Sequence, residues 1–111
     1  MTTRDPLIPG TLNALILKAL TWGPRHGYAI NRWIETAAAD VLRVEEGVLY
    51  PALHRLEEQG LVKATWARND TGRRAKFYSL TAAGRRFLEA EIARWHRSSQ
   101  AVSLILGATK A

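Results

Sequence analysis

An apolar helical pattern followed at once by a strand pattern occupies the middle of the chain. Four residues recur at the spacing that places side chains on one face of a helix: Leu49, Ala52, Leu53 and Leu56. Gly60 lies where helices commonly end, and the alternating residues 61–66 then predict a strand. This order predicts a winged helix-turn-helix in which the helix containing Leu49 approaches DNA.

Two more helices are predicted before this segment. Residues 12–20 carry an apolar helical face, with Thr11 as a candidate N-cap, and Trp22-Gly23-Pro24 ends the helix. A second helix is predicted from about His26 to Ala38, with His26 as a cap or a packing residue. These two helices, a short connector and the third helix form the core of a helix-turn-helix.

A β-hairpin, the wing, is predicted after the third helix. Its strands are residues 62–67 and 76–80, and the intervening residues 68–75 are rich in turn formers and arginine. Phe77 and Tyr78 point to opposite faces of the second strand, so one packs inward and the other faces solvent or DNA.

The last predicted helix carries a coiled-coil seam. Thr81 is a candidate N-cap. Six residues then follow alternating spacings of 4 and 3: Leu88, Ile92, Trp95, Ser99, Val102 and Leu106. Because the preceding domain is already complete, this apolar stripe needs a second surface to cover it. The sequence therefore predicts a homodimer with these six residues at the interface.

The chain thus divides into three parts. Residues 1–10 form a polar arm that contains proline, residues 11–80 a winged helix-turn-helix DNA-binding domain, and residues 81–111 a C-terminal dimerisation helix. The predicted fold class is mainly α with a small β-hairpin, an α+β fold.

The composition favours a folded cytoplasmic protein. Hydrophobic residues make up 47% of the chain, which suffices for a core. No stretch approaches the roughly 18–20 apolar residues that cross a bilayer, and the N-terminus lacks the pattern of a secretory signal. There is no cysteine, which excludes disulfides and thiolate metal sites. We therefore expect a cytoplasmic protein without membrane partners.

Positive charge is concentrated on the wing. Residues 60–80 contain five Lys or Arg against one Asp, a balance of +4, whereas residues 1–59 contain six against seven, a balance of −1. A basic segment of this kind is typical of a nucleic-acid binder, although a solvated hairpin has the same composition. The helix-turn-helix order favours DNA binding.

Enzymatic chemistry has no support in the sequence. The three histidines, His26, His54 and His96, fall on three separate predicted helices. No HExxH spacing, GxSxG motif, P-loop or paired-carboxylate arrangement is present. We therefore expect no enzyme, no catalytic residues, no metal site and no cofactor.

Four short motifs in this order resemble the PadR family of bacterial winged-helix transcriptional regulators. They are HGY at 26–28, GVLYPAL at 47–53, EEQGLV at 57–62 and LTAAG at 80–84. The resemblance extends from residue 7 to about residue 107, and the single C-terminal helix resembles the compact subclass of the family. It implies a dimeric repressor that binds a palindromic operator, with the third helix in the major groove and the wing on adjacent backbone or minor groove.

The resemblance and the residue chemistry together nominate seven DNA-binding residues: Tyr50, Pro51, His54, Arg55, Arg73, Arg74 and Lys76. Arginine can pair with guanine or neutralise phosphate. Alternatives stay open: Arg55 pairing with Glu58 at i+3, and Tyr50 as a half-buried structural aromatic. Pro51 is interpreted as shaping the helix rather than contacting DNA.

The start of the third helix departs from the family pattern. Relatives often have a small hydroxyl residue and a proline where this chain has Glu45 and Glu46, and a hydroxyl residue where Val48 stands. Carboxylates suit a helix N-terminus but are repelled by phosphates. The departure therefore predicts an altered approach to DNA or an altered operator.

Two interpretations concern partners other than operator DNA. Some compact relatives bind flat aromatic molecules between tryptophans at the dimer interface, which makes Trp95 a candidate effector-pocket residue, although plain core packing is favoured. Trp22 and Trp33 are predicted to be core. The alternative function is a winged-helix protein-interaction module without sequence-specific DNA binding.

Overall fold

The computed structural model describes residue 5 and residues 7–111. This part of the chain forms four α-helices and three β-strands: α1 (Leu12–Ala19), β1 (Arg25–His26), α2 (Gly27–Ala37), α3 (Glu46–Glu58), β2 (Val62–Arg68), β3 (Arg74–Leu80) and α4 (Ala82–Leu106). The predicted α+β winged helix-turn-helix is confirmed. Of the predicted N-terminal arm, residues 1–4 and 6 lie outside the described residues.

Helix α1 lies at the centre of the helical layer. It packs against α2, α3 and α4, and Ile16, Leu17 and Ala19 are buried between them. The predicted face of α3 is fully buried, which confirms the helical pattern: Leu49, Ala52, Leu53 and Leu56. One continuous core therefore fixes α3 against the other helices.

The end of α3 is stabilised by a left-handed glycine. Gly60 has φ +73°. Its N–H donates to the Glu57 carbonyl, and the Leu61 N–H donates to the Leu56 carbonyl; the donor–acceptor distance is 3.0 Å in both hydrogen bonds. These two bonds are those of a Schellman motif, in which a residue with a side chain would be strained. The chain turns here directly into the wing, as predicted.

The sheet contains one strand that the sequence pattern does not predict. The strand order is β1-β3-β2, with both pairings antiparallel, and β1 pairs Arg25 with Tyr78 and His26 with Phe77. A strand of two residues is too short to show an alternating pattern, so it is identified only by its pairing with β3. The wing is thereby joined to the start of α2.

Two of the three predicted helix caps are confirmed. His26 Nδ1 accepts a hydrogen bond from the Ala29 N–H (3.2 Å). The Thr81 hydroxyl oxygen accepts from the Gly84 N–H (3.0 Å) and donates to the Gly60 carbonyl (2.7 Å). Thr11 is wrong as a side-chain cap, because its hydroxyl donates to the preceding Ile8 carbonyl instead (2.7 Å).

Helix α4 starts against the base of the wing and then leaves the domain. Its 25 residues span about 38 Å. Leu88 is buried in the core of its own chain, and Ile92 packs at the edge of that core. The radius of gyration is 16.0 Å, compared with about 13 Å for a compact domain of this size. The second half of α4 therefore extends away from the core.

The predicted positions of two tryptophans differ in outcome. Trp33 is half-buried against the core. Trp22 is wrong as a core residue, because 64% of it is exposed. Its ring lies 5.4 Å from the Trp33 ring, and the Lys18 ammonium lies 5.1 Å above it. The glycine-proline turn carries Trp22 out of α1 and onto the surface.

Candidate nucleic-acid interface

The side of α3 opposite the core is exposed and bordered by the wing. Its surface residues include three of the seven predicted DNA-binding residues: His54 and Arg55, and Pro51, which is interpreted as shaping the helix. An α-helix exposed in this way has the dimensions that fit the major groove of DNA.

Pro51 lies inside α3 rather than at its start. It is the sixth residue of the helix and is exposed. Proline has no N–H to donate to the carbonyl four residues earlier, here that of Gly47. The helix nevertheless continues to Glu58, because four buried residues fix its other face. This position fits the interpretation of Pro51 as a residue that shapes α3.

Tyr50 joins α3 to the start of α2. A Cβ added to Gly27 would lie 2.6 Å from Tyr50 Cε1 and from its hydroxyl oxygen, so the ring rests directly on the glycine backbone. Tyr50 remains 46% exposed. The ring is thus packed on one side and accessible on the other. A structural role for Tyr50 is therefore compatible with a DNA contact.

Glu58 on the exposed face of α3 pairs with His54 rather than with Arg55. His54 Nε2 lies 2.8 Å from Glu58 Oε1. Among the described residues, Arg55 makes no ion pair or hydrogen bond, so the alternative in which it pairs with Glu58 is not observed. The Arg55 guanidinium is therefore available to a partner outside the chain.

Carboxylates at both ends of α3 are partly neutralised. Glu45 is the N-cap residue, and its carboxylate lies 3.9 Å from Arg43 Nε. Glu57 is paired with Lys76 on the wing. Within the described residues, Glu46 has no cation within ion-pair distance and is exposed. The repulsion expected between this helix end and phosphate therefore comes chiefly from Glu46.

The wing turn is held by a single asparagine. Asn69 Oδ1 accepts hydrogen bonds from the Thr71 N–H (3.1 Å), the Thr71 hydroxyl (2.9 Å) and the Arg73 N–H (2.9 Å). Gly72 has φ +79°, which lets the chain reverse. Asparagine is suited to this role because its side-chain carbonyl replaces backbone acceptors in tight turns.

The three wing arginines lie in different environments. Arg68 and Arg74 stand opposite each other across the hairpin. Arg68 donates to the Gly72 carbonyl (2.7 Å), and the Arg74 guanidinium lies 5.0 Å from the ring centre of Trp66, which is 57% exposed. The Arg73 side chain is exposed and has no partner within the described part of the chain. The tip thus presents the free guanidinium of Arg73 and two guanidinium groups held by contacts within the wing.

Lys76 lies lower on the wing and is already paired. Its Nζ lies 3.1 Å from Glu57 Oε1 and 5.6 Å from the Tyr78 ring centre. The hydrogen bond to Glu57 raises the pKa of Lys76 above its usual value. Tyr78 is the buried member of the Phe77–Tyr78 pair, and this burial raises the pKa of its phenol.

An open cleft of about 390 Å³ separates α2, α3 and the wing. Aromatic side chains from all three supply much of its wall: His26, Tyr28, Tyr50, Trp66 and Tyr78. Sequence patterns miss Trp66 as a member of this surface. Trp66 lies opposite Lys76 in the hairpin. The patterns also miss Glu57, which contacts the cleft residue Lys76.

The second half of α4 has an apolar surface with no cover from its own chain. Trp95 is 43% exposed, so plain core packing within this chain is wrong. Val102 and Leu106 of the predicted seam are more than half exposed, and so are the neighbouring Leu104 and Ile105. An apolar surface of this extent on a protruding helix is characteristic of an interface.

The described residues contain neither a metal-binding cluster nor a membrane-spanning helix. No group of three or more His, Asp or Glu in this part of the chain is arranged to hold a metal ion. None of its helices is long and apolar enough to span a bilayer.

Comparison with protein families identifies one match. The family model described as "Transcriptional regulator PadR-like family" matches residues 16–90 of this chain. An uncharacterized protein of Lysinibacillus sphaericus is 25% identical over 103 residues, 93% of this chain and 94% of that protein. An uncharacterized 37.1 kDa protein in transposon TN4556 of Streptomyces fradiae is 47% identical over 77 residues, 69% of this chain but 21% of that protein.

Several bacterial proteins of known structure share this fold. The structure of smu.1704 from Streptococcus mutans has a TM-score of 0.82 and 25% identity, and the match covers 98% of both chains. A PadR family transcriptional regulator from Eggerthella lenta has a TM-score of 0.75 and 33% identity, covering 90% of this chain and 85% of that one. A PadR family regulator from Clostridium difficile has a TM-score of 0.75 and 29% identity, covering 88% and 100%.

Proposed function

Because the chain belongs to the PadR-like family of transcriptional regulators, we propose that it is a repressor that binds a palindromic DNA operator as a homodimer. Repression follows if the bound dimer occupies promoter DNA. Such a protein acts in the cytoplasm, where the chromosome is accessible.

The observation that carries the proposal is the placement of the basic wing beside the exposed face of α3. The α3 face carries a free Arg55, and the wing tip carries a free Arg73 next to the oriented Arg74. In a winged helix-turn-helix the helix reads base edges while the wing holds backbone. We assign base reading to Arg55, with His54 and Tyr50 at its flanks, and phosphate contacts to the two wing arginines.

The exposed half of α4 supports the homodimer. Its apolar side chains, from Trp95 to Leu106, would be covered by the same helix of a second copy, since two-fold interfaces use the same surface on each chain. Leu88 and Ile92 already pack within the chain, so the interface would centre on the later part of the seam. Two recognition helices related by a two-fold axis would then meet two half-sites.

Release by a small-molecule effector is a separate part of the proposal. Trp95 is exposed in the chain and lies on the proposed dimer surface, where its ring could contact a planar aromatic compound. Titration with planar aromatics should quench its fluorescence in the wild type. A Trp95→Phe variant should lose the quenching, and unchanged fluorescence in the wild type would remove this part of the proposal.

The direct test is binding to DNA upstream of the gene and to scrambled DNA across a salt series. The double variant Arg73→Ala/Arg74→Ala is compared with Lys63→Ala, an exposed wing lysine without a partner in the described chain. We expect the upstream DNA to bind far more tightly than the scrambled DNA. The double variant should weaken both and reduce the salt slope by about 2, one for each phosphate contact.

The proposal is contradicted when two tests fail in turn. Equal, weak binding to both DNAs shows that the upstream DNA is not the operator, and selection from genomic fragments then decides. If that selection also yields no preferred sequence, the winged helix acts as a protein-interaction module instead.

A further inference from the structure

The wing and α3 are joined at two levels, one apolar and one ionic. At the base, Leu56 of α3 and Val62 of β2 are buried in the same core. Further along the hairpin, the side chains of Glu57 and Lys76 meet at 3.1 Å, each 34% exposed. Among the described residues, this is the one ion pair that links α3 to the wing.

The ionic link lies closer to the tip of the paired strands than to their base. Lys76 pairs with Trp66, which is four residues beyond Val62 at the base of β2. At about 3.3 Å per residue, the link is about 13 Å above the base. The arginine tip starts two residue pairs further on, at Arg68 and Arg74. A hinge movement at the base would therefore displace the tip unless this link restrained it.

The same geometry argues against Lys76 as a phosphate ligand. Its ammonium already has an anionic partner, and the hydrogen bond to Glu57 raises its pKa. If Lys76 turned to a phosphate, it would leave the Glu57 carboxylate facing that phosphate. Together the two side chains add no net charge to the DNA-facing surface, whereas Arg73 has no such partner within the described chain.

We propose that Glu57 and Lys76 are a pair of positioning residues that set the angle between the recognition helix and the wing. This inference rests on the proposed function and assigns Lys76 a role other than direct DNA contact. The pair keeps the wing arginines at the distance from α3 that one operator half-site requires. It contributes to specific binding through geometry, without neutralising a phosphate.

Neutral variants of the two residues distinguish positioning from contact. If Lys76 binds phosphate, Glu57→Gln frees it and removes a repelling carboxylate, so affinity for DNA stays the same or rises. If the pair positions the wing, Glu57→Gln and Lys76→Gln each weaken operator binding about two- to five-fold, the range expected for a partly exposed ion pair. The salt slope stays that of the wild type, because no phosphate contact is lost.

Charge reversal adds a rescue that a purely structural change would not show. Lys76→Glu and Glu57→Lys each place like charges together and should weaken operator binding more than the neutral variants. The double variant Glu57→Lys/Lys76→Glu restores an ion pair with reversed polarity and should recover most of the affinity. Lys76→Arg keeps the pair and should bind as the wild type does.

Matched controls are available on the same sheet and on α4. Lys63→Gln removes a wing lysine, and Glu89→Gln removes an exposed carboxylate; neither side chain has a partner in the described residues. Neither variant should change operator affinity by as much as Glu57→Gln. Affinities are measured by fluorescence anisotropy on selected operator DNA, with the salt slope determined for each variant.

The outcomes separate this inference from the function on which it rests. Weaker binding of Glu57→Gln with an unchanged salt slope, together with recovery in the reversed pair, supports positioning. Unchanged or tighter binding of Glu57→Gln, or a slope reduced by about 1 in Lys76→Gln, overturns it in favour of a phosphate contact. If the wild type shows no preference for any DNA sequence, the proposed function fails. A double-mutant cycle in urea unfolding then tests the ion pair alone. Coupling of about two-fold or more in the unfolding constant supports the pair, and the absence of coupling overturns it.

Discussion

Replacement of Gly84 by alanine tests the packing that joins α4 to the DNA-binding domain. A Cβ on this residue would lie 2.0 Å from the Leu61 carbonyl oxygen and 2.9 Å from Leu80 Cδ1. The carbonyl is backbone and accepts a hydrogen bond from the Thr81 N–H (3.2 Å), so it cannot move freely. An ordinary contact of about 3.4 Å requires a shift of about 1.4 Å between α4 and the segment that follows α3.

The cost of this shift can be worked out from three contributions. Overpacking in a fixed core costs about 1–3 kcal/mol. Loss of the Thr81 cap, whose partner is the Gly84 N–H, costs about 1 kcal/mol. Alanine returns about 1 kcal/mol through its helix propensity. We therefore expect Gly84→Ala to lower the free energy of unfolding by about 2 kcal/mol, or roughly 30-fold in the unfolding constant.

Urea unfolding followed by tryptophan fluorescence measures this change. Protein concentration is held constant, since dimerisation would make the midpoint depend on it. Gly47→Ala is the matched control, because its added Cβ meets nothing within 4 Å and it also lies inside a helix. The control should be unchanged or up to about 1 kcal/mol more stable. If Gly84→Ala is as stable as the wild type, the close approach of α4 to Leu61 is refuted.

Three further predictions follow from individual contacts. Gly27→Ala should displace the Tyr50 ring and weaken operator binding several-fold in anisotropy assays, with the unfolding free energy within about 1 kcal/mol of wild type. The free energy of unfolding should fall as pH rises above about 10. The pKa values of Lys76 and Tyr78 are raised in the folded state, so the folded chain holds these protons more tightly than the unfolded chain does. Urea unfolding from pH 9 to 11 measures the change. Val102→Asp should raise the dimer dissociation constant at least about 100-fold in sedimentation equilibrium, since it places an unpaired charge in the proposed interface.

Each of these has an outcome that contradicts it. Unchanged affinity of Gly27→Ala would show that the position of Tyr50 does not matter for DNA. An alkaline loss of stability equal in wild type and in Lys76→Gln/Tyr78→Phe would assign it to other groups. For the dimer, Gln100→Asp is the control, being exposed and off the seam; equal dissociation of both variants would place the interface elsewhere.

Sequence patterns predict the elements whose side chains alternate regularly between core and solvent. The buried face of α3 follows from helical periodicity, because four leucine or alanine side chains recur on one side. The glycine at position 60 follows equally well, since only its backbone freedom allows the left-handed turn. The wing follows from alternation and turn formers, although β2 and β3 are longer than predicted.

Features that depend on distant parts of the chain could not be predicted in this way. β1 has two residues and exists only through pairing with β3. The Glu57–Lys76 pair joins residues 19 positions apart, and nothing local indicates that they meet. Tryptophan is a residue type common in protein cores, but Trp22 is exposed because a turn carries it away from α1. Contacts between elements therefore decide the candidate site more than its individual residue types.

Selection of bound sequences from random DNA, using the full chain, tests the proposed function most directly. We predict an inverted repeat whose half-site centres are about 10 base pairs apart or a multiple of this, bound by two chains per site. Mass measurement of the complex gives the number of chains. A selected site without a repeat bound by one chain, or no enriched sequence at all, would contradict a dimeric repressor that recognises a palindromic operator.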